Sequence, residues 1–163
     1  MRLALLLFPV VMLAASDAAL VRTGALPNPV QTPGDTLDVT VADICITGYT
    51  KKVRNVPAAV KRQVYAAYDR APLKGVCCEV DHLIPLELGG SNRVRNLWPE
   101  PYDIEWNAHV KDRIEGRLHK LVCAGNLDLA TAQAIIARNW IEAYQEYGAR
   151  RSSERSAKRR RRE

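Results

Sequence analysis

A chain of 163 residues with 47% hydrophobic content suits one domain around a single modest core. It has no internal repeat and no second apolar run long enough to span a bilayer after its N-terminal segment, which excludes a repeat architecture and a membrane-spanning mature chain. The net charge is +6. Positions 149–163 hold eight basic residues and two acids, and the rest of the chain is formally neutral. The excess charge is therefore no evidence that the body is a basic surface.

Arg2 precedes a continuous apolar run from Leu3 to Ala15, and small residues follow at Ser16, Ala18 and Ala19. Such a run rises only about 20 Å as a helix, short of the roughly 30 Å of a hydrocarbon core. Residues 1–19 therefore read as a secretory signal peptide, and the protein as exported, either periplasmic or extracellular. Residues 20–35, with Pro27, Pro29, Pro33 and Gly34, read as an irregular linker. The functional domain is expected over 36–148 and a basic disordered tail over 149–163.

Within the domain, Leu37, Val39 and Val41 alternate before the phase shifts to Ile44 and Ile46, which predicts an N-terminal strand with a bulge. A turn with the cations Lys51, Lys52 and Arg54 follows. Pro57 can open a helix, with Asn55 as a candidate cap, that carries Val60, Val64, Tyr65 and Tyr68 on one face. Gly75 introduces an extended run in which Val76, Cys78, Val80 and His82 share one face, and Cys77, Glu79 and Asp81 the other. Gly89-Gly90 allows the chain to turn back, and Val94 to Trp98 is the expected returning strand.

A helix from about Glu105 to Val122 places Trp106, Val110, Ile114, Leu118 and Leu121 in one stripe. His109, Arg113 and Arg117 lie on one flank of it, and Asn107 and Lys111 on another. Gly125 is the expected stop, and Asp128 the N-cap of a last helix reaching Gly148. Trp98, Trp106 and Trp140 fall at spacings typical of packing.

Four cysteines, Cys45, Cys77, Cys78 and Cys123, in an exported chain favour disulfides. A zinc site is disfavoured because no C-x-x-C or C-x-x-H pair occurs. Three pairings are open. A bridge between the adjacent Cys77 and Cys78 is disfavoured on a strand, where neighbouring side chains diverge.

The chemistry concentrates in Glu79-Val80-Asp81-His82-Leu83-Ile84-Pro85-Leu86-Glu87-Leu88-Gly89-Gly90-Ser91-Asn92, followed by Asn96-Leu97-Trp98-Pro99. An Asp-His pair alone is more common in a capped loop than in a site. An Asp-His pair, a Gly-Gly turn, an Asn-Leu pair and a His-bearing helix in that order form a more specific pattern. Between Glu79 and roughly Leu121 this pattern resembles the HNH (ββα-metal) endonuclease superfamily.

The resemblance implies an α+β fold: a small ββα-metal core, an antiparallel hairpin plus a helix, with flanking helices and the N-terminal strand. It implies that His82 is the general base, that Asn96 holds the loop and orients the histidine, and that Asp81 is a metal ligand. His109, or alternatively Asn107, would complete the metal site. Lys111, Arg113 and Arg117 are candidate substrate contacts. The implied cofactor is one divalent metal ion (Mg²⁺, Mn²⁺, Ni²⁺ or Zn²⁺). The implied activity is hydrolysis of DNA phosphodiesters with little sequence specificity. RNA is the alternative substrate, and the tail 149–163 would hold the phosphate backbone. A second class is a secreted, disulfide-stabilised nucleic-acid-binding or envelope protein without turnover.

Overall fold

A computed structural model describes residues 24–69 and 77–148, together with Ala19. The rest of the expected signal peptide and the basic tail lie outside the described residues. The fold is α+β. Short helices α1 (Val41–Ile44), α2 (Tyr49–Val53) and α3 (Ala58–Ala67) precede strand β1 (Cys78–His82). Single 3₁₀ turns at Leu86–Leu88 and Val94–Asn96 then lead into β2 (Leu97–Pro101). Helices α4 (Ala108–Cys123) and α5 (Leu129–Ala143) follow, and a π turn spans Tyr144–Gly148. Among the described residues no helix is long and apolar enough to cross a membrane.

The two strands pair antiparallel, with Asp81 opposite Trp98 and His82 opposite Leu97. The returning strand begins at Leu97, three residues later than expected, because Val94–Asn96 closes a 3₁₀ turn first. β2 carries Pro99 and Pro101, which lack a ladder donor. Their phase makes them tolerable. Leu83 N–H donates to Asn96 O at 2.8 Å and Tyr102 N–H to Cys77 O at 3.0 Å, so the even-numbered positions of β2 face β1 and the prolines face away.

Three sequence expectations give way here. The region 37–46 forms no strand; Thr36 makes only an isolated bridge to Gly90. Thr40 and Asp43 form a reciprocal capping box, with Thr40 N–H donating to Asp43 Oδ2 at 2.8 Å. That local cap starts α1 and overrides the alternating pattern. Residues 24–35 are also more than a linker. Ala25 and Leu26 are buried in the core, Trp140 Nε1 donates to Ala25 O at 3.0 Å, and Gly34 N–H donates to Arg95 O at 3.1 Å. Finally, α3 starts after Pro57 without a side-chain cap, so Asn55 does not fill that role.

The core lies between α4, α5 and the Leu86–Leu88 turn. Ile114, Leu118, Ile136 and Trp140 are fully buried there. Each such side chain contributes roughly 1.5–3 kcal/mol of transfer free energy. Trp106 packs edge-on against Trp140, with ring centroids 6.1 Å apart. Asn107 caps α4 through Val110 N–H, and Asp128 caps α5 through Thr131 N–H. Gly125 takes a φ of +70° beyond α4, the left-handed conformation that ends helices.

Cys45 and Cys123 form a disulfide that ties the end of α1 to the end of α4. Cys77 and Cys78 are joined to each other. The expectation against an adjacent bridge assumed both residues within a regular strand. Cys77 lies just before β1 and is free of that constraint.

Candidate active site

β1 ends in Asp81 and His82, whose side chains leave the strand on opposite faces. At the strand end they still converge, with His82 Nδ1 3.8 Å from Asp81 Oδ1. His82 is 2% exposed, whereas Asp81 retains 18%, so solvent reaches the pair from the aspartate side.

The histidine's other nitrogen is fixed. Nε2 lies 3.0 Å from Asn92 Oδ1, and Asn92 Nδ2 donates to Val53 O at 2.8 Å. The amide must present Nδ2 to a carbonyl, so its oxygen faces the imidazole. A neutral imidazole must then carry its proton on Nε2. That leaves a lone pair on Nδ1, the nitrogen beside Asp81. Asn92 lies within the motif, but no periodicity marks it as a partner of His82. It was legible only once α2 and the hairpin loop came together.

Asn96 is fully buried and staples the loop between the strands. Its Nδ2 donates to Ile84 O and Ser91 O, both at 2.9 Å, and its Oδ1 accepts Ile84 N–H at 3.0 Å. Gly90 sits inside this staple. A Cβ there would lie 1.8 Å from Ile84 O and 2.9 Å from Asn96 Nδ2. Asn96 thus shapes the backbone that follows His82 and touches no reacting position.

Lys111 departs most from expectation. It is fully buried and cannot meet a substrate phosphate. Its Nζ donates to Asp81 Oδ2 and to His82 O, each at 2.7 Å, and also to Glu115. Glu100 Oε2 lies 3.5 Å away. Burial opposes the charge on Lys111, but Asp81, Glu100 and Glu115 outweigh it and hold the ammonium well above its ordinary pKa. Burial likewise works to raise Asp81, but Lys111 and its hydrogen bonds keep that carboxyl well below its usual range. Glu100 is pushed well up by burial, and Glu115 to about 8, with Lys111 opposing both shifts. The result is one anionic aspartate locked onto a lysine, with two neighbouring acids biased toward neutrality. Glu100 carried no sequence signal. Glu115 stands four residues after Lys111, a visible helical pair.

The remaining candidates have other partners. Asn107 spends its amide on the α4 cap, accepting Val110 N–H and donating to Ile104 O at 2.8 Å. His109 is exposed, with its ring 5.7 Å from that of Tyr102. Arg113 and Arg117 line a different groove, against Tyr144 and Gly148. They leave α4 on another side from Lys111 because two residues along a helix turn it about 200°.

No three possible ligands that include both Asp81 and His109 lie within 4.8 Å of one another among the described residues. The donor set present, one aspartate kept anionic, fits a hard cation that takes its other oxygens from water and substrate. Among the described residues a single group of three possible ligands lies within 4.8 Å of one another: Cys45, His119 and Cys123. Its two sulfurs are joined in the disulfide, and His119 Nε2 lies 3.1 Å from Ile44 O.

Comparison with protein-family models, curated proteins and solved structures finds no match to this chain.

Proposed function

We propose that this chain is an HNH-type endonuclease that hydrolyses phosphodiester bonds of DNA with little sequence preference, with His82 activating water. The observation that carries the reading is the state of His82. Asn92 holds the proton on Nε2, and the basic nitrogen Nδ1 points toward the solvent-touched Asp81.

In the proposed reaction, Nδ1 takes a proton from a water molecule as its oxygen bonds to phosphorus. The phosphorus–oxygen bond to the leaving nucleotide breaks, and the leaving oxygen is protonated from solvent. Asp81 stabilises the imidazolium that forms, and Lys111 holds Asp81 and the His82 carbonyl in place. The resemblance implies one divalent cation. Asp81 would hold it, and it would supply charge neutralisation on the phosphate oxygens. Export to the periplasm or extracellular space, and phosphate binding by the tail 149–163, belong to the same proposal.

The test is plasmid nicking by His82→Ala. Loss of a positioned base costs about 10² to 10⁴ in rate, while DNA binding is expected to persist. Wild-type nicking by this variant would refute the assignment. Binding without cleavage by the wild type would favour the non-catalytic nucleic-acid-binding class.

A further inference from the structure

Beside β1 lies a feature that the proposed catalytic step does not itself use. Between α3 and β1 lies an open groove of about 580 Å³. Its α3 wall is formed by residues 58, 61, 62 and 65, the spacing of one helical face. On this face the sequence places Lys61, Arg62 and Tyr65. The apolar Val64 of the same helix is buried elsewhere. Arg54, at the end of α2, also lines the groove.

Arg54, Lys61 and Arg62 are all exposed, and none pairs with a carboxylate among the described residues. The acid in the groove, Glu79, is half-buried and hydrogen-bonded by Tyr102; burial raises its pKa. Tyr65 is committed to the scaffold, donating to Cys78 O at 3.1 Å. In a body that is formally neutral, three unpaired cations along one groove are a local concentration of positive charge.

The groove is also tied to the histidine. Val80 lines it and shares its strand face with His82, two residues or about 7 Å further along β1. The residues on either side of Arg54 grip the amide that orients His82: Val53 O accepts from Asn92 Nδ2, and Asn55 N–H donates to Asn92 Oδ1 at 3.3 Å.

We propose that this groove is the track for a nucleic-acid strand, with Arg54, Lys61 and Arg62 pairing with its phosphates and leading the backbone toward His82. The proposal rests on the nuclease reading and names where the substrate of that site is held. It assigns phosphate binding to α2 and α3, rather than to Arg113 and Arg117 on α4.

The experiment measures binding of fluorescein-labelled single-stranded and duplex oligonucleotides by anisotropy at several salt concentrations. It uses the full chain carrying His82→Ala so that nothing is cleaved. Adding Arg54→Ala, Lys61→Ala and Arg62→Ala is expected to raise Kd at least tenfold. It should also reduce the slope of log K against log salt by about 2 to 3, the contribution of three phosphate contacts. Adding Arg113→Ala and Arg117→Ala instead is expected to leave the slope unchanged. The three groove side chains are exposed, so an unchanged thermal midpoint will show that the fold is intact.

An unaltered slope in the groove variant overturns the proposal, as does a full loss of binding in the α4 variant. The two readings fail separately. If His82→Ala alone still cleaves, the catalytic assignment falls. If it is inactive while the groove variant binds normally, only the track falls.

Discussion

Asn92 and His82 are ten residues apart, on opposite sides of the hairpin loop, and meet at 3.0 Å through Oδ1 and Nε2. The contact is more than packing, because the second hydrogen bond of Asn92, to Val53 O, dictates which imidazole nitrogen can accept a proton. Replacing Asn92 with Ala should let His82 sample both tautomers. The expected loss is about 10- to 100-fold in kcat, part of what a positioned base supplies, with KM little changed. Nitrogen chemical shifts of His82 should show a proton on Nε2 in the wild type and a mixture in the variant. Identical spectra would remove the basis for this role.

Asn96 should behave differently. Asn96→Ala leaves Ile84 N–H, Ile84 O and Ser91 O buried without their partner. Each orphaned group costs about 1–3 kcal/mol, so the variant should be destabilised by several kcal/mol in urea titration. Gly90→Ala should be comparably severe, because its Cβ would meet Ile84 O at 1.8 Å. Near-native stability in either variant would contradict the staple.

Removing Lys111 strands buried carboxylates. Breaking such a cluster from one side typically costs about 3–5 kcal/mol, whereas apolar replacement of a whole buried ion pair can be neutral. Lys111→Ala alone is expected to show the full penalty. Combining Lys111→Met with Glu115→Leu should recover part of that stability, but not activity, since Asp81 loses its anchor. If the single variant were both stable and active, the cluster would have no positioning role.

Metal removal bears on the cation. Dialysis against EDTA is expected to abolish plasmid nicking, and Mg²⁺ or Mn²⁺ to restore it better than Zn²⁺, since the proposed ligand is the Asp81 carboxylate and the adjacent His82 nitrogen is assigned to proton transfer. His109→Ala should leave the metal dependence unaltered. Loss of metal affinity on that change would reinstate His109 as a ligand.

The Cys45–Cys123 bridge spans a sequence separation of 78. A loop of that length lowers the entropy of the unfolded chain by an equivalent of about 4 to 5 kcal/mol. The Cys45→Ser/Cys123→Ser double variant should lose much of that amount in chemical denaturation while keeping the native fold. Unchanged stability would indicate that the unfolded chain is already constrained.

The helices α4 and α5 were legible because their apolar stripes recur at 3.6-residue spacing and the Asp128 cap is local chemistry, although α4 starts at Ala108, three residues later than expected, with Asn107 as its cap. The hairpin was legible from its alternation and Gly-Gly turn, although its return strand starts later than the pattern suggests. Residues 37–46 were misread because hydrophobic alternation and a capping box competed within ten residues, and the cap prevailed. Residues 24–35 were misread because prolines mark irregular backbone without revealing whether that backbone is buried.

For the site, the sequence alone determined which residues stand at the strand end, Asp81 and His82, and that Asn96 follows on the return. These are consequences of order along one short segment. Only the tertiary structure decided how Lys111 is used, which asparagine orients the imidazole, and which cations line a groove beside it. A lysine reads the same in sequence whether it faces phosphate or a cluster of three carboxylates. The difference lies in which elements pack against it, and that is set by contacts between residues some 30 to 40 positions apart, such as Lys111 with Asp81 and Asn92 with Val53.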